Sequence, residues 1–310
     1  MDIVGIIILA LIWGASFLFI KIGLNGGMSP LLVASMRLAL GATLLWGVVL
    51  IRRIVAPASF KKPIPHDRAT WGKLLFIGLV NSAIPFALIA WGEQRISSGL
   101  ASIFNSTMPL FTVIFAHFLT HDDRLTVLKA LGVGIGFIGV GVTIAPSAGD
   151  LTGELLGCLA VIVASSSYAI ATVYIKKNLT GATDPIATGA SQLIMGFIWL
   201  APFALITGAT ANLSTVPAES IQAVTVLGIL GTGIAYLIYY LLIQHAKASQ
   251  MSLVTYLLPI TALVYGAWLL SEPVTVYALV GFGLIVAGIV LVNRANQRRS
   301  KVLPIKTTSD

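Results

Sequence analysis

Ten long apolar runs divide this 310-residue chain, and each is long enough to cross a lipid bilayer as a helix. A spanning helix needs about 20 apolar residues to cross the hydrocarbon core. The segment must be helical because the core offers no water to backbone N–H and C=O groups. The loops are short, apart from the basic, proline-containing segment 52–69. The pattern predicts an all-α integral membrane protein with ten transmembrane helices, at residues 3–22, 31–51, 70–91, 97–120, 126–146, 152–176, 185–207, 219–244, 249–270 and 273–293.

The composition agrees with a membrane location. Hydrophobic residues make up 57% of the chain and charged residues only 10%, with a mean hydropathy of +0.96, whereas a soluble domain carries about 25% charged residues. The formal charge of +8 does not indicate a nucleic-acid partner, because the basic residues fall mainly in loops and in the C-terminal tail. Cys158 is the only cysteine, so the chain cannot form an internal disulfide.

The basic residues also predict the orientation of the chain. Cytoplasmic loops are enriched in Lys and Arg, and an N-terminus inside the cell puts most of the 19 Lys and Arg residues on that side. Lys21 and Arg95 then fall at outer helix ends, and Arg37 lies within a helix. We expect a multi-pass protein of the cell inner (plasma) membrane, with both termini cytoplasmic and 294–310 as a basic cytoplasmic tail.

The segment from Trp13 to Arg37 occurs twice, at an offset of 155 residues, and an offset of about 150 aligns later helices. The matched pairs include Trp13 with Tyr168, Lys21 with Lys176, Pro30 with Pro185, Arg37 with Gln192, Gly41 with Gly196, Gly78 with Gly228, Ser102 with Ser252, Asn105 with Thr255, Pro109 with Pro259 and Asp122 with Glu272. Each repeat holds five helices, over about 3–146 and 152–293. Because five is odd, the second repeat enters the membrane from the opposite side, and we expect two inverted five-helix repeats in one transporter domain, 1–293.

Small residues indicate how some helices pack. The fifth and tenth helices carry glycines four and seven residues apart, as in G-V-G-I-G-F-I-G-V-G. This spacing lets helix backbones approach closely in lipid, so we expect these two helices to pack away from any solute path. The serines at 165–167 could line the solute path or hydrogen-bond to their own helix, and we expect the second.

Helices four and nine each contain a proline near mid-membrane, Pro109 and Pro259. Proline has no N–H to donate to the carbonyl four residues earlier, so the carbonyls of Asn105 and Thr255 are predicted to be free. One interpretation makes these prolines helix breaks beside a water-filled cavity that binds substrate. In the other interpretation the kinks are only structural, and Asn105 and Thr255 supply hydrogen bonds to the backbone groups that proline leaves free. The polar residues that share one face at helical spacing are Ser102, Asn105, Ser252 and Thr255.

Arg37 is the only charged residue well inside a predicted helix. A charge there costs about 2–4 kcal/mol or more unless it is paired or hydrated. We consider two roles for it: binding a carboxylate or phosphate of a solute, or bonding to backbone carbonyls at a helix break.

Aromatic residues are predicted to line the same cavity. Tyrosine gives an apolar wall with a polar tip, which suits amino acids and other amphipathic metabolites. Tyr239 is alternatively an interfacial residue, where aromatic side chains collect at the headgroup level. The aromatic substrate-binding candidates are Trp13, Tyr168, Tyr236, Tyr239 and Tyr256.

The acidic residues fall near helix ends, as Glu93 and Glu272 illustrate. A carboxylate proton relay needs a buried acid, so this pattern disfavours proton coupling by that route. Glu272 and Pro273 together predict the start of the tenth helix. The four His residues lack metal-ligand spacing and no catalytic motif is present, so we expect no cofactor, no metal and no enzyme activity.

Two runs of sequence carry a family resemblance. The run W-G-A-S-F-L-F-I-K with P-L-L-V-A-S-M-R resembles the opening of the EamA family, in the drug/metabolite transporter superfamily. The run S-Q-M-S-L-V-T-Y-L-L-P-I-T-A-L-V-Y-G-A-W-L-L-S-E-P-V-T is similar to that family's closing segment. The resemblance implies a central cavity between the repeats, lined by helices one, three, four, six, eight and nine, and export or exchange of small metabolites.

We therefore expect a permease for small metabolites, most of all amino acids or related amphipathic solutes, that works by alternating access in the lipid bilayer. The sequence is compatible with both a monomer and a homodimer. The alternative in the same superfamily is a sugar-phosphate or nucleotide-sugar exchanger, which would need several cations in the cavity where this chain offers Arg37.

Overall fold

Ten long helices form the computed structural model, which describes residues 2–59, 62, 64–120, 124–147, 149, 153–179, 183–209, 213–246 and 248–302. Each helix is long and apolar enough to cross a membrane, so the ten-helix prediction is confirmed for this part of the chain. Asp122 and the last part of the predicted tail, 303–310, lie outside the described residues. The helices are α1 Asp2–Asn25, α2 Pro30–Val55, α3 Arg68–Glu93, α4 Ser98–Leu119, α5 Val127–Ile144, α6 Glu154–Asn178, α7 Pro185–Ile206, α8 Ala218–Ile243 extended to His245, α9 Ala248–Leu269 and α10 Val276–Val302.

Side-chain caps define where several helices begin. A short polar side chain just before a helix accepts a hydrogen bond from a backbone N–H of the first turn, which has no partner inside the helix. Proline follows the cap directly in α2 and α7, where its fixed φ suits the first helical position. The capping residues are Ser29, Asp67, Ser97, Thr126 and Asp184.

Two helices contain π-helical segments that were not predicted. In α3 the segment covers Leu79–Ala83, and in α8 it covers Leu227–Ile234. A π-helical turn holds one extra residue per turn, so it rotates the side chains that follow and is often found at functional sites. The two segments lie about 150 residues apart, which is the offset of the sequence repeat.

The two proline-containing helices differ from each other. Helix α4 is interrupted between Asn105 and Met108, just before Pro109, and is formed by Ser98–Asn105 and Met108–Leu119. Helix α9 runs without interruption through Pro259. The two prolines therefore have different local effects, although the repeat aligns them.

The prediction that α10 starts at Glu272 was wrong. This helix begins at Val276, and Ser271 has a positive φ of 54° in the turn after α9. The Glu272 carboxylate instead accepts hydrogen bonds from Ser98 N (3.0 Å) and Ser98 Oγ (2.6 Å) at the start of α4. Glu272 therefore stabilises the N-terminus of α4 rather than that of α10.

Helices α5 and α10 pack against each other along their glycines, as the spacing predicts. A Cβ atom on Gly132 would lie 2.7 Å from the carbonyl oxygen of Gly288, and one on Gly139 would lie 2.6 Å from that of Gly281. Any side chain at these positions would push the two backbones apart. This pair therefore forms a tightly packed side of the bundle.

The core of the bundle brings the two halves of the chain together. Helix α2 packs along α7 and against the π-helical segment of α8, α1 packs along α9, and α3 packs along α7. Large apolar side chains cover the outside, for example Ile54 at 79% exposed and Trp268 at 78%. Such a surface is unfavourable in water and suits acyl chains.

Candidate substrate-binding site

Arg37 lies buried between helices of both halves of the chain, at 8% exposed. Its Nε donates a hydrogen bond to Thr232 Oγ1 at 2.8 Å, and its guanidinium lies over the Phe86 ring, 4.0 Å from the ring centre. Its two terminal nitrogens form no hydrogen bond with the residues that the structure describes, and neither nitrogen is completely buried. A cation is thus held at one nitrogen and remains available at two others.

A second polar bond mirrors the first. Gln192 Nε2 on α7 donates to Ser82 Oγ on α3 at 3.1 Å. The repeat aligns Gln192 with Arg37, and the offset of 150 aligns Ser82 with Thr232. The bond from Arg37 to Thr232 and the bond from Gln192 to Ser82 therefore join equivalent positions, each crossing from one half of the chain to the other.

The π-helical segments explain why these hydroxyls are available to another helix. Ser82 lies in the segment of α3 and Thr232 in that of α8, and both are 0% exposed. In a regular helix a Ser or Thr hydroxyl usually bonds to a carbonyl of its own preceding turn. Thr232 Oγ1 keeps a long bond of this kind to Leu227 O at 3.3 Å while it accepts from Arg37.

Glycines allow the helices around both bonds to approach closely. A Cβ atom on Gly41 would lie 2.6 Å from Thr232 Cγ2, and one on Gly196 would lie 2.7 Å from Ser82 Cβ. Gly41 and Gly196 are themselves a matched pair of the repeat. The short distance between the backbones thus sets the position of each hydroxyl.

Two of the five aromatic candidates lie near Arg37, and two more join them through ring contacts with a further tyrosine. Tyr168 and Tyr236 are close enough to interact electrostatically with its guanidinium. Trp13 and Tyr239 have ring centres 5.7 Å apart. Tyr240 connects the two groups, with ring centres 6.0 Å from Tyr236 and 5.5 Å from Tyr239. The four candidate side chains are half-buried, so they form a wall with polar tips rather than a sealed core.

Hydroxyl groups stabilise the break in α4. Ser106 Oγ donates to Ile103 O at 2.6 Å, and Thr107 Oγ1 donates to Phe104 O at 2.6 Å. Ser165 on α6 also donates to Phe104 O, at 2.9 Å. The expectation that the α6 serines bond to their own helix was therefore wrong for Ser165. It was also wrong for Ser167, which donates to Val80 O of α3 at 2.6 Å.

The polar candidates on α4 differ in accessibility. Ser102 is 0% exposed and donates to Gly99 O in its own helix at 2.7 Å, so its hydroxyl does not reach a cavity. Asn105 is partly exposed, and its side-chain oxygen Oδ1 is buried without a hydrogen bond to any part of the described chain. A buried acceptor of this kind needs a donor, which a water molecule or a solute can supply.

One candidate on α9, Tyr256, bonds to a helix other than that of Arg37. The Tyr256 hydroxyl accepts a hydrogen bond from Asn293 Nδ2 on α10 at 2.7 Å, so it is directed to the tightly packed side of the bundle. Ser252 and Thr255 are half-buried. The structure therefore brings Trp13, Arg37, Tyr168, Tyr236 and Tyr239 together, but does not join Tyr256 to them.

The sequence did not reveal three residues of this site, which are Ser82, Phe86 and Thr232. The repeat contained the signal for two of them, because the offset of 150 pairs Ser82 with Thr232 at the centre of apolar helices. Phe86 gave no such signal, since phenylalanine is common in any spanning helix.

A separate groove of about 530 Å³ lies near the end of α3, away from Arg37. Its lining is mostly apolar and includes Leu31, Leu88, Trp91 and Thr207. In the part of the chain that the structure describes, no three His, Cys, Asp or Glu residues are grouped so as to hold a metal ion.

Comparison with known proteins gives a consistent result. A model of the EamA-like transporter family matches residues 1–145 and 155–294. An "Uncharacterized transporter" of Archaeoglobus fulgidus is 30% identical over 286 residues, which cover 91% of this chain and 95% of that protein. The "Uncharacterized transporter YoaV" of Bacillus subtilis is 27% identical, with coverage of 92% and 94%. The "Uncharacterized inner membrane transporter YedA" of Escherichia coli K12 is 27% identical, with coverage of 92% and 88%.

A solved crystal structure of a protein has a similar fold. It aligns with a TM-score of 0.64 and covers 96% of this chain and 98% of its own. The sequences are 16% identical, so the likeness concerns the fold alone.

Proposed function

The chain belongs to the EamA-like transporter family, and we propose that it moves small carboxylate-bearing solutes, amino acids above all, through a site at Arg37. One observation carries this proposal: the two terminal nitrogens of a buried guanidinium have no acceptor among the residues placed by the structure. A guanidinium binds a carboxylate through two parallel hydrogen bonds, and those bonds use the donors that Arg37 has free.

The cost of burying Arg37 supports a ligand role. A charge inside a membrane helix costs about 2–4 kcal/mol or more when it is unpaired. Its bond to Thr232 and its contact with Phe86 repay part of this cost. A purely structural arginine would be expected to use its terminal nitrogens on backbone carbonyls, and Arg37 does not.

The surroundings of Arg37 suit the remainder of an amino acid. Trp13, Tyr168, Tyr236 and Tyr239 offer an apolar wall with polar tips for a side chain. Ser165 bonds α6 to α4 next to Asn105, and Tyr168 lies one helical turn further along α6. In this proposal Asn105 Oδ1 accepts a hydrogen bond from the ammonium group of the solute whose carboxylate binds Arg37.

The paired bonds support an inverted repeat and alternating access as parts of the proposal. In an inverted repeat, a contact at one depth has its equivalent at the mirrored depth. The bonds of Arg37 to Thr232 and of Gln192 to Ser82 join positions that the sequence repeat aligns, which supports such a pairing. Opening one contact while the other stays closed would expose the solute first to one side of the membrane and then to the other.

A sugar-phosphate or nucleotide-sugar exchanger remains the second candidate, but one contact disfavours it. Such a solute would need further cations around Arg37. Lys21 is one such cation, but its Nζ already donates to the carbonyl oxygens of Glu93 and Ile96. The Escherichia coli relative is named an inner membrane transporter, which supports an inner-membrane location for this protein, and the basic loops support cytoplasmic termini.

The test is uptake by proteoliposomes from a panel of radiolabelled amino acids, the corresponding amines and sugar phosphates. We expect Arg37→Gln to lower carboxylate uptake by about 10- to 100-fold, the effect of losing a charged hydrogen-bonded contact of about 1.5–3 kcal/mol. Arg37→Lys should also lose uptake, because an ammonium cannot form the bidentate contact.

The matched control is Arg53→Gln, which removes an exposed arginine from the end of the same helix. It should transport normally. If Arg37→Lys folds and transports carboxylates at the wild-type rate, or if both Arg37 variants fail to fold, the residue is structural and the proposed site is wrong.

A further inference from the structure

A carboxylic acid is buried without a partner at one end of the bundle. Glu93 is the last residue of α3 and is 0% exposed. Neither of its carboxyl oxygens forms a hydrogen bond within the ranges that the structure covers. The sequence predicts Glu93 at a helix end. Its position along the helix does not reveal whether neighbouring helices bury its carboxyl group. The reason given for disfavouring a carboxylate proton site was the lack of a buried acid, and Glu93 is one.

Two cations lie near Glu93 without pairing to its carboxyl group. Lys21 Nζ on α1 donates instead to the backbone oxygen of Glu93 at 2.5 Å and to that of Ile96 at 2.9 Å. Arg37 interacts with Glu93 electrostatically from inside the bundle. Lys21 therefore ties α1 to the turn between α3 and α4 while leaving the acid free.

The other charged groups at this end are already engaged. Glu272 repels Glu93 at a distance, but its own carboxylate is held by Ser98 and by Gly99 N (3.4 Å) at the start of α4. Arg95 stacks over the Trp91 ring, 3.6 Å from the ring centre, and donates to Trp91 O. Within this cluster Glu93 is thus the acid whose carboxyl group receives no hydrogen bond from the described residues.

The free energy of burial favours a neutral Glu93 in this packing. An ionised carboxylate taken out of water without hydrogen bonds costs several kcal/mol, whereas a neutral acid loses far less. When helix movement admits water or brings Lys21 Nζ to the carboxyl oxygens, the ionised form is stabilised instead. The protonation of Glu93 is therefore linked to the arrangement of α1 and the α3–α4 turn.

We propose that Glu93 is a proton-binding site that couples solute transport to a proton gradient. In each cycle a proton from the solution adds to a carboxylate oxygen of Glu93 in one arrangement and leaves to the solution in the other, with no other covalent bond formed or broken. The resulting anion attracts Lys21 away from Ile96 O and so loosens the tie between α1 and the α3–α4 turn. The coupling rests on the proposed transport function, whereas the proton site does not.

Proton binding is measured first, without any solute. Infrared difference spectra of the purified protein between acid and alkaline pH should contain a carboxylic acid band from a buried group. The band should vanish in Glu93→Gln and persist in Glu272→Gln, which removes the neighbouring acid that is already hydrogen-bonded. A band that persists in Glu93→Gln, or is absent from the wild type at every pH, would overturn the proposal.

Coupling is measured with the best solute from the proteoliposome panel. One coupled proton makes the accumulation ratio respond by up to about tenfold to a gradient of one pH unit. We expect the wild type and Glu272→Gln to respond, and Glu93→Gln to exchange solute across the membrane without responding. A response retained in Glu93→Gln would refute the coupling. If no solute is transported by the wild type, the proposed function fails, and the infrared band alone still decides the proton site.

Discussion

A neutral amide and a cation occupy equivalent positions in the two halves of this protein. Gln192 and Arg37 each bond to a hydroxyl of the opposite half, at 3.1 Å and 2.8 Å. The two bonds differ in charge, so only the Arg37 side attracts an anion. Single residues thus make two aligned contacts chemically different, and in the proposed mechanism a carboxylate binds at the Arg37 contact.

Arg37 could be identified from the sequence, but its role could not. It is the charged residue that lies well inside a helix, and that left both a structural and a ligand role open. The free terminal nitrogens favour the proposed ligand role, and they depend on side-chain packing that no residue pattern encodes. Ser82 and Thr232 were missed because a hydroxyl in an apolar helix ordinarily bonds to its own helix.

At the same scale, the closeness of α2 and α8 can be tested with one methyl group. Gly41→Ala places a Cβ atom only 2.6 Å from Thr232 Cγ2. We expect a loss of about 1–3 kcal/mol in stability, as for other overpacked cores, and weaker transport because Thr232 moves away from Arg37. Melting temperature in detergent and uptake in proteoliposomes measure the two effects.

Gly47→Ala is the control for that substitution. It lies on the same helix, and nothing lies within 4 Å of a Cβ atom added there. It should keep both the melting temperature and uptake. Equal behaviour of the two alanine variants would mean that α2 and α8 are not held together as closely as this structure has them.

Irregular segments occur in three helices around the site, α3, α4 and α8, and their predictability differs. The break in α4 was foreshadowed by Pro109, although the hydroxyls of Ser106 and Thr107 that stabilise it were not. The continuous course of α9 through Pro259 contradicts the idea that proline alone opens a helix. The π-helical segments could not be predicted, because one extra residue per turn hardly changes an apolar run.

The break in α4 predicts unequal effects of removing the two prolines. Pro109→Ala restores an N–H that can donate to the Asn105 carbonyl, and it lets α4 continue as one helix. We expect turnover to fall by about tenfold, which corresponds to about 1.4 kcal/mol in the barrier, while assembly is unchanged. Pro259→Ala should change transport less, because α9 is already continuous. Unchanged kinetics in Pro109→Ala would remove the break from the mechanism.

For the whole molecule, the number of helices and the alignment of two halves followed from the sequence alone. Ten apolar runs and a repeat offset are properties of the chain, and bilayer thickness leaves few ways to arrange them. Which side chains meet between the halves depends on helix rotation and on approach distances set by glycines. For this reason Tyr256, which fits the aromatic pattern, is directed to α10, and Glu93, which lies at a helix end, is buried.

The most direct test of the central claim, that Arg37 binds a solute carboxylate, is thermal unfolding of the purified protein with matched pairs of ligands. Each pair is an amino acid and the amine that lacks only its carboxylate, for example phenylalanine and 2-phenylethylamine. A bound amino acid at 100 times its dissociation constant should stabilise the wild type by about 2.7 kcal/mol, whereas the amine and the variant Arg37→Gln should give no shift. An equal shift with the amine, or a full shift in Arg37→Gln, would contradict the account.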